Sequence, residues 1–135
     1  MKFTFLEHTA DIKFKAFGKT LNDVFESCAL AFSDYVSRGS KIRAVKKKTI
    51  RLEGKDNESL LYQFMDELVY LIDAEGFVVS DAEVKVKDMK LEAVVYGDKV
   101  GNYKELDHVK AATYAEMHVK PLKNGLWEAQ VVLDV

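Results

Sequence analysis

The hydrophobic period of this sequence switches twice from about two to about 3.6 and back, and a glycine closes each helical stretch. From Thr20 to Val36 the apolar positions Leu21, Val24, Phe25, Cys28, Phe32, Tyr35 and Val36 follow the spacing of an amphipathic helix. Thr20 can accept from the free amides of the first turn, Asp23 can reach back to it, and Gly39 lies just past the last turn as a stop. A second helix starts at Asn57 as cap, turns Leu60, Leu61, Phe64, Leu68, Leu71 and Ile72 inward, and ends at Gly76. Each apolar stripe has to be buried against another element, so the fold depends on what the remaining segments supply.

Those segments supply strands. Phe3 to Leu6, Ile12 to Phe17, Thr49 to Glu53, Phe77 to Val79, Ala82 to Val86, Lys90 to Tyr96, Val109 to Val119 and Trp127 to Leu133 alternate apolar with polar. In the penultimate strand Val109, Ala111, Thr113, Ala115, Met117 and Val119 share one face, and Lys110, Ala112, Tyr114, Glu116 and His118 the other. Asn124-Gly125 supplies left-handed dihedrals for a final hairpin, and Pro121, the only proline, sits in that connection. The expected architecture is α+β: a single mixed, largely antiparallel sheet with the two main helices on one face. With 135 residues and no linker or repeat, the chain reads as one domain spanning residues 1–135.

Bulk properties narrow the functional classes. Twenty basic and 22 acidic side chains leave a formal charge of −2, which gives no whole-molecule pull toward nucleic acid or membrane. Mean hydropathy is −0.15, no stretch approaches the roughly 18 apolar residues of a membrane span, and polar residues interrupt the N-terminus where a secretion signal would be apolar. The single cysteine, Cys28, forms no internal disulfide. A cytoplasmic protein is expected.

Candidate chemistry is sparse. His8, His108 and His118 lack zinc-ligand spacing, and Cys28 falls on the apolar face of a helix, where a thiol is ordinarily a small core side chain. No glycine-rich phosphate loop occurs. The run RGSKIRAVKKKTIRL carries Arg38, Lys41, Arg43, Lys46, Lys47, Lys48 and Arg51 with no acid, and could attract a phosphate backbone. It has no aromatic residue for base stacking and reads more simply as a solvated connection into an edge strand whose lysines discourage aggregation. The turn EHTAD, Glu7 to Asp11, is unusually rich in oxygen ligands. If the last strand neighbours the first hairpin, Asp11, Asp134 and the carboxylate of Val135 could converge on a hard cation such as calcium or magnesium. The plainer alternative is an Asx turn at Asp11 and a fraying terminus at Asp134. An autonomous metal-dependent hydrolase lacks an evident general base with an orienting partner.

The stretch FLEHTADIKFKAFGKTLNDVFESCALAF (Phe5 to Phe32), with its HTAD motif followed by GKTL, together with KAATY (Lys110 to Tyr114) and the ending VVLDV (Val131 to Val135), resembles the archease family over essentially the whole chain. The resemblance implies a fold in which a strand-helix-strand-strand module is embedded in a larger mixed sheet. It implies a protein cofactor, not an enzyme, that assists an RtcB-type tRNA-splicing ligase by promoting guanylylation of its active-site histidine and multiple turnover. A chaperone-like role toward an RNA methyltransferase is the alternative that the family carries. The residues matching the family's functional positions are Asp11, Lys110 and Asp134, with a calcium-type cation held by Asp11, Asp134 and the Val135 carboxylate. Lys110 would offset carboxylate charge or reach a phosphate or carboxylate on the ligase. Where the family often has histidine after the KAxTY motif, this chain has Ala115; by strand alternation it is expected on the face opposite Lys110 and Tyr114.

Overall fold

The computed structural model describes residues 2–7 and 11–135. His8, Thr9 and Ala10 of the EHTAD turn lie outside the described residues. The element order is β1 (Phe3–Leu6), β2 (Asp11–Gly18), α1 (Leu21–Val36), β3 (Lys46–Glu53), α2 (Asn57–Glu75), β4 (Phe77–Lys87), β5 (Lys90–Lys99), a 3-10 turn (Val100–Asn102), β6 (Ala111–Pro121) and β7 (Trp127–Asp134).

The α+β class, the two helices and the antiparallel pairing are as expected, but the strands form two sheets where one was anticipated. One sheet has the order β1-β2-β7-β6 and the other β3-β5-β4. Among the described residues every strand pairing is antiparallel. The strand-helix-strand-strand module is β3-α2-β4-β5, and it supplies the whole of the second sheet between α1 and β6. Period-two patterning identifies strands but not which of them share hydrogen bonds, so it could not divide them.

Each helix packs against strands of both sheets. Helix α1 packs against β1, β2 and β7 of the first sheet and against β4 of the second, and none of its 16 residues is exposed. Ser27 and Ser33, which a one-sided stripe would leave in water, are buried; the Ser27 hydroxyl donates to the Phe17 carbonyl at 2.7 Å. Helix α2 packs against β6, β3 and β4. Phe14, Phe25, Phe32 and Phe64 are fully buried in one continuous core, each removing enough apolar surface from water for roughly 2–3 kcal/mol.

Local signals set the helix ends. The Thr20 hydroxyl accepts from the Asp23 amide at 3.1 Å, as expected for a cap. The cap of α2 is Asp56 instead of Asn57: its carboxylate accepts from the Ser59 amide at 2.7 Å while the Ser59 hydroxyl accepts from the Asp56 amide at 3.2 Å, a reciprocal capping box. Gly76 ends α2 in the left-handed region at φ +62°. At Gly97 a Cβ would stand 2.0 Å from the Val78 carbonyl oxygen, so only glycine allows β5 to pass β4 at the bulge between Val79 and Asp81.

Each helix also satisfies an edge strand. Glu26 Oε2 and Asn22 Oδ1 on α1 accept from the Val84 and Val86 amides of β4, both at 2.8 Å. Glu58 Oε2 on α2 accepts from the Val119 amide of β6 at 2.9 Å. Edge amides that would otherwise template another chain are thereby occupied. The β3 edge instead carries Lys46, Lys47 and Lys48.

Candidate functional site

β2 and β7 bring the two ends of the sequence into register. Asp11 pairs with Asp134, and the same residue of β7 pairs on its other side with Ala111 of β6. The Lys110 amide donates to the Asp134 carbonyl at 2.8 Å, which fixes the start of the KAATY segment at this strand end. Asp11, Asp134 and Val135 are each half-buried, and Lys110 is exposed. The Val135 side chain packs against the core, and so do Ile12 and Leu106. The three expected site residues therefore meet at one end of the four-stranded sheet, and Val135 adjoins them.

Directly opposed residues of an antiparallel pair have Cβ atoms only about 4.5–5.5 Å apart, and like charges placed so destabilise the pair. Two carboxylates borne on one such rung are all-oxygen donors of the kind hard divalent cations take. Among the described residues no group of three His, Cys, Asp or Glu side chains converges for a metal. The expected set has two such side chains, with the third oxygen source on the main chain of Val135, and its chemistry fits the cation.

Beyond Lys110 the strand departs from the regular course that its residues suggest. β6 loses register with β7 between Thr113 and His118: Thr113 pairs with Val132, but His118 pairs with Gln130. Three extra residues are accommodated, and Glu116 adopts φ +52°. An odd insertion reverses the alternation, so Ala112 and Val119, expected on opposite faces, both enter the core. Ala115 lies inside the bulge, where strand alternation no longer assigns it a face; its amide donates to Thr113 Oγ1 at 3.2 Å.

The bulge reaches across the outer face of the sheet. The Glu116 carbonyl accepts from Gln130 Nε2 at 2.7 Å, and its carboxylate pairs with Lys13 Nζ on β2 at 3.0 Å. Thr113 Oγ1 donates to the Val132 carbonyl at 2.9 Å. Further along this face Glu128 is buried between His118 Nε2 at 2.7 Å and Lys15 Nζ at 3.9 Å. The Asp11–Asp134 row thus ends a series of charged residues held by several strands. Lys13 and Glu116 escaped sequence reasoning because nothing in YAEMH departs from a regular strand.

The other candidates lie elsewhere. In the basic run, Arg38 pairs with Glu105 and Asp107, Arg43 with Asp98, Lys48 with Glu75 and Arg51 with Glu92, leaving Lys41, Lys46 and Lys47 exposed. Asp98 is 1% exposed. Burial pushes its carboxyl up, but the Tyr103 hydroxyl, the Lys99 amide, Asn102 and Arg43 outweigh that and hold it below the usual carboxylate value. This cluster ties the residues after β5 to the chain entering β3. Cys28 is fully buried, which pushes its thiol far up. His108 lies 3.7 Å from Asp73. Two clefts of about 510 and 540 Å³ are lined around Gly18, Asp23 and Glu26 and around Arg51, Lys87 and Lys90; neither includes Asp11, Lys110 or Asp134. A cation held between strand ends needs no such cleft. No helix among the described residues is long and apolar enough to cross a membrane.

Comparison with known proteins agrees over the whole chain. The profile of the Archease protein family (MTH1598/TM1083) matches residues 3–135. Protein archease of Pyrococcus furiosus is 43% identical over 96% of this chain and 95% of its own, and that of Pyrococcus abyssi 39% identical over the same shares. Protein archease of Archaeoglobus fulgidus is 35% identical over the full length of both. The solution structure of Methanobacterium thermoautotrophicum protein 1598 superposes with a TM-score of 0.81 at 31% identity, covering 99% of each chain. With the family profile matched over residues 3–135 and relatives up to 43% identical along nearly the whole chain, the chain belongs to the archease family.

Proposed function

We propose that this protein is a cytoplasmic cofactor of an RtcB-type tRNA-splicing RNA ligase, promoting guanylylation of the ligase and its repeated turnover without being an enzyme itself. The single observation that supports this reading is the direct opposition of Asp11 and Asp134 beside the Lys110 amide bond, since the family's functional positions come from distant parts of the sequence. Asp11, Asp134 and the Val135 carboxylate would hold calcium or another hard divalent cation. When bound, that cation supplies positive charge that orients and neutralises anionic groups. Lys110, exposed beside the pair, adds an ammonium that can reach a phosphate or carboxylate on the ligase. The β2–β7 register and the Lys110 amide bond hold the backbone of these residues together, so the barrier would fall through positioning more than through new chemistry.

Guanylylation of the cognate ligase with GTP, measured with and without this protein, tests the reading. Faster and more complete guanylylation in its presence is expected. Unchanged guanylylation together with salt-dependent tRNA binding would favour the alternative, a chaperone-like modulator of a tRNA methyltransferase or other RNA-processing enzyme using the basic run. Four of that run's seven cations are already paired with acids, which weighs against this alternative.

A further inference from the structure

Helix α2 carries Glu58, Asp66, Glu67, Asp73 and Glu75 and not one basic residue. Three of these carboxylates are engaged: Glu58 by the Val119 amide, Asp73 by His108 and Glu75 by Lys48. Asp66 and Glu67 make no ion pair among the described residues, and Asp66 is exposed. Burial raises the Glu67 carboxyl, with Asp66 and Glu75 adding to the rise, which marks a surplus of negative charge on this helix.

Aromatic rings share that exposed side. Tyr62, Asp66 and Tyr70 succeed one another at four-residue spacing, about 6 Å per step along one helix face. Tyr70 is 51% exposed. Tyr114, 54% exposed, projects from the β6 bulge and stacks on Tyr62 with ring centroids 4.2 Å apart and planes 9° from parallel. Tyr114 belongs to the same KAATY segment as Lys110, so the stripe continues from the Asp11–Asp134 end of the sheet.

We propose that this tyrosine and carboxylate stripe on α2 and the β6 bulge is a docking surface for an arginine-bearing segment of the partner protein. Guanidinium groups stack on tyrosine faces and pair with carboxylates, and a surface offering both fits arginine better than any other side chain. Rings alone would also suit nucleic-acid bases, but the neighbouring carboxylates repel the phosphate backbone that must accompany them. The inference deepens the ligase-cofactor reading and rests on it for the partner's identity.

The test has two arms that fail separately. In the first, binding of the cognate ligase is measured by calorimetry for the parent, Asp66→Lys, Tyr70→Ala and the control Glu83→Lys on the other sheet. Asp66→Lys and Tyr70→Ala are expected to weaken binding by about tenfold or more, with Glu83→Lys matching the parent. Parental affinity in both stripe variants overturns the docking surface and leaves the cofactor reading standing. In the second arm, amide chemical shifts are monitored on adding a six-residue arginine peptide. Shifts confined to Tyr62, Asp66, Tyr70 and Tyr114 support the surface even if the parent fails to bind the ligase. Shifts elsewhere, or shifts of these residues only with a single-stranded RNA oligonucleotide, overturn it.

Discussion

Asp11, the first residue of β2, stands directly opposite Asp134, the last residue of β7, so two carboxylates separated by almost the whole sequence share one rung of an antiparallel ladder. A shared cation would offset their repulsion, and its binding to the folded state alone would raise stability. At a calcium concentration one hundred times the dissociation constant the gain is about 2.7 kcal/mol. Thermal unfolding of the parent is therefore expected to shift upward by several degrees with calcium and return with chelator, whereas Asp134→Asn should show little shift.

Much of this relationship was legible in the residues. The period switches located both helices, the Asn124-Gly125 turn brings β7 back beside β6, and the polar turn before Ile12 singled out Asp11. Two features were not legible. Division into two sheets depends on hydrogen-bond partners, which side-chain alternation does not encode. The bulge in β6 leaves no mark on YAEMH because its cause is tertiary: Gln130 and Lys13 hold Glu116 in place from other strands. A strand read as regular from Val109 to Val119 was thus assigned the wrong parity from His118 onward, relative to Thr113.

Helix α1 is enclosed by both sheets, so its core rings have no freedom to relax toward solvent. Phe25, fully buried and 6.2 Å from the Phe64 ring centroid, is a direct probe. Phe25→Ala is expected to cost about 3–5 kcal/mol, read as a lower urea midpoint with an unchanged slope.

The side-chain cover of the β6 edge predicts a specific loss. Glu58→Ala leaves the Val119 amide without its acceptor, for a cost of about 1–3 kcal/mol in urea unfolding. Glu58→Gln retains an oxygen acceptor and should recover most of it.

Glu26 sets a pH dependence. Burial raises its carboxyl above the ordinary value of 4.5, the Val84 amide opposes that rise, Asp23 and Glu83 add to it, and Lys2 lowers it. The folded state therefore holds this proton more tightly than the unfolded chain. The resulting stability is present below pH 4.5 and is lost as pH rises through the folded value. Glu26→Gln, which keeps an acceptor for Val84, should melt higher than the parent at neutral pH, with the difference vanishing below pH 4.5.

The measurement that bears most directly on the central claim is multiple-turnover ligation by the cognate ligase in the presence of the parent, Asp11→Ala, Lys110→Ala or Asp134→Ala, each first shown by circular dichroism to be folded. The account predicts that the parent stimulates turnover and that each substitution abolishes the stimulation. Full stimulation by all three variants would contradict it.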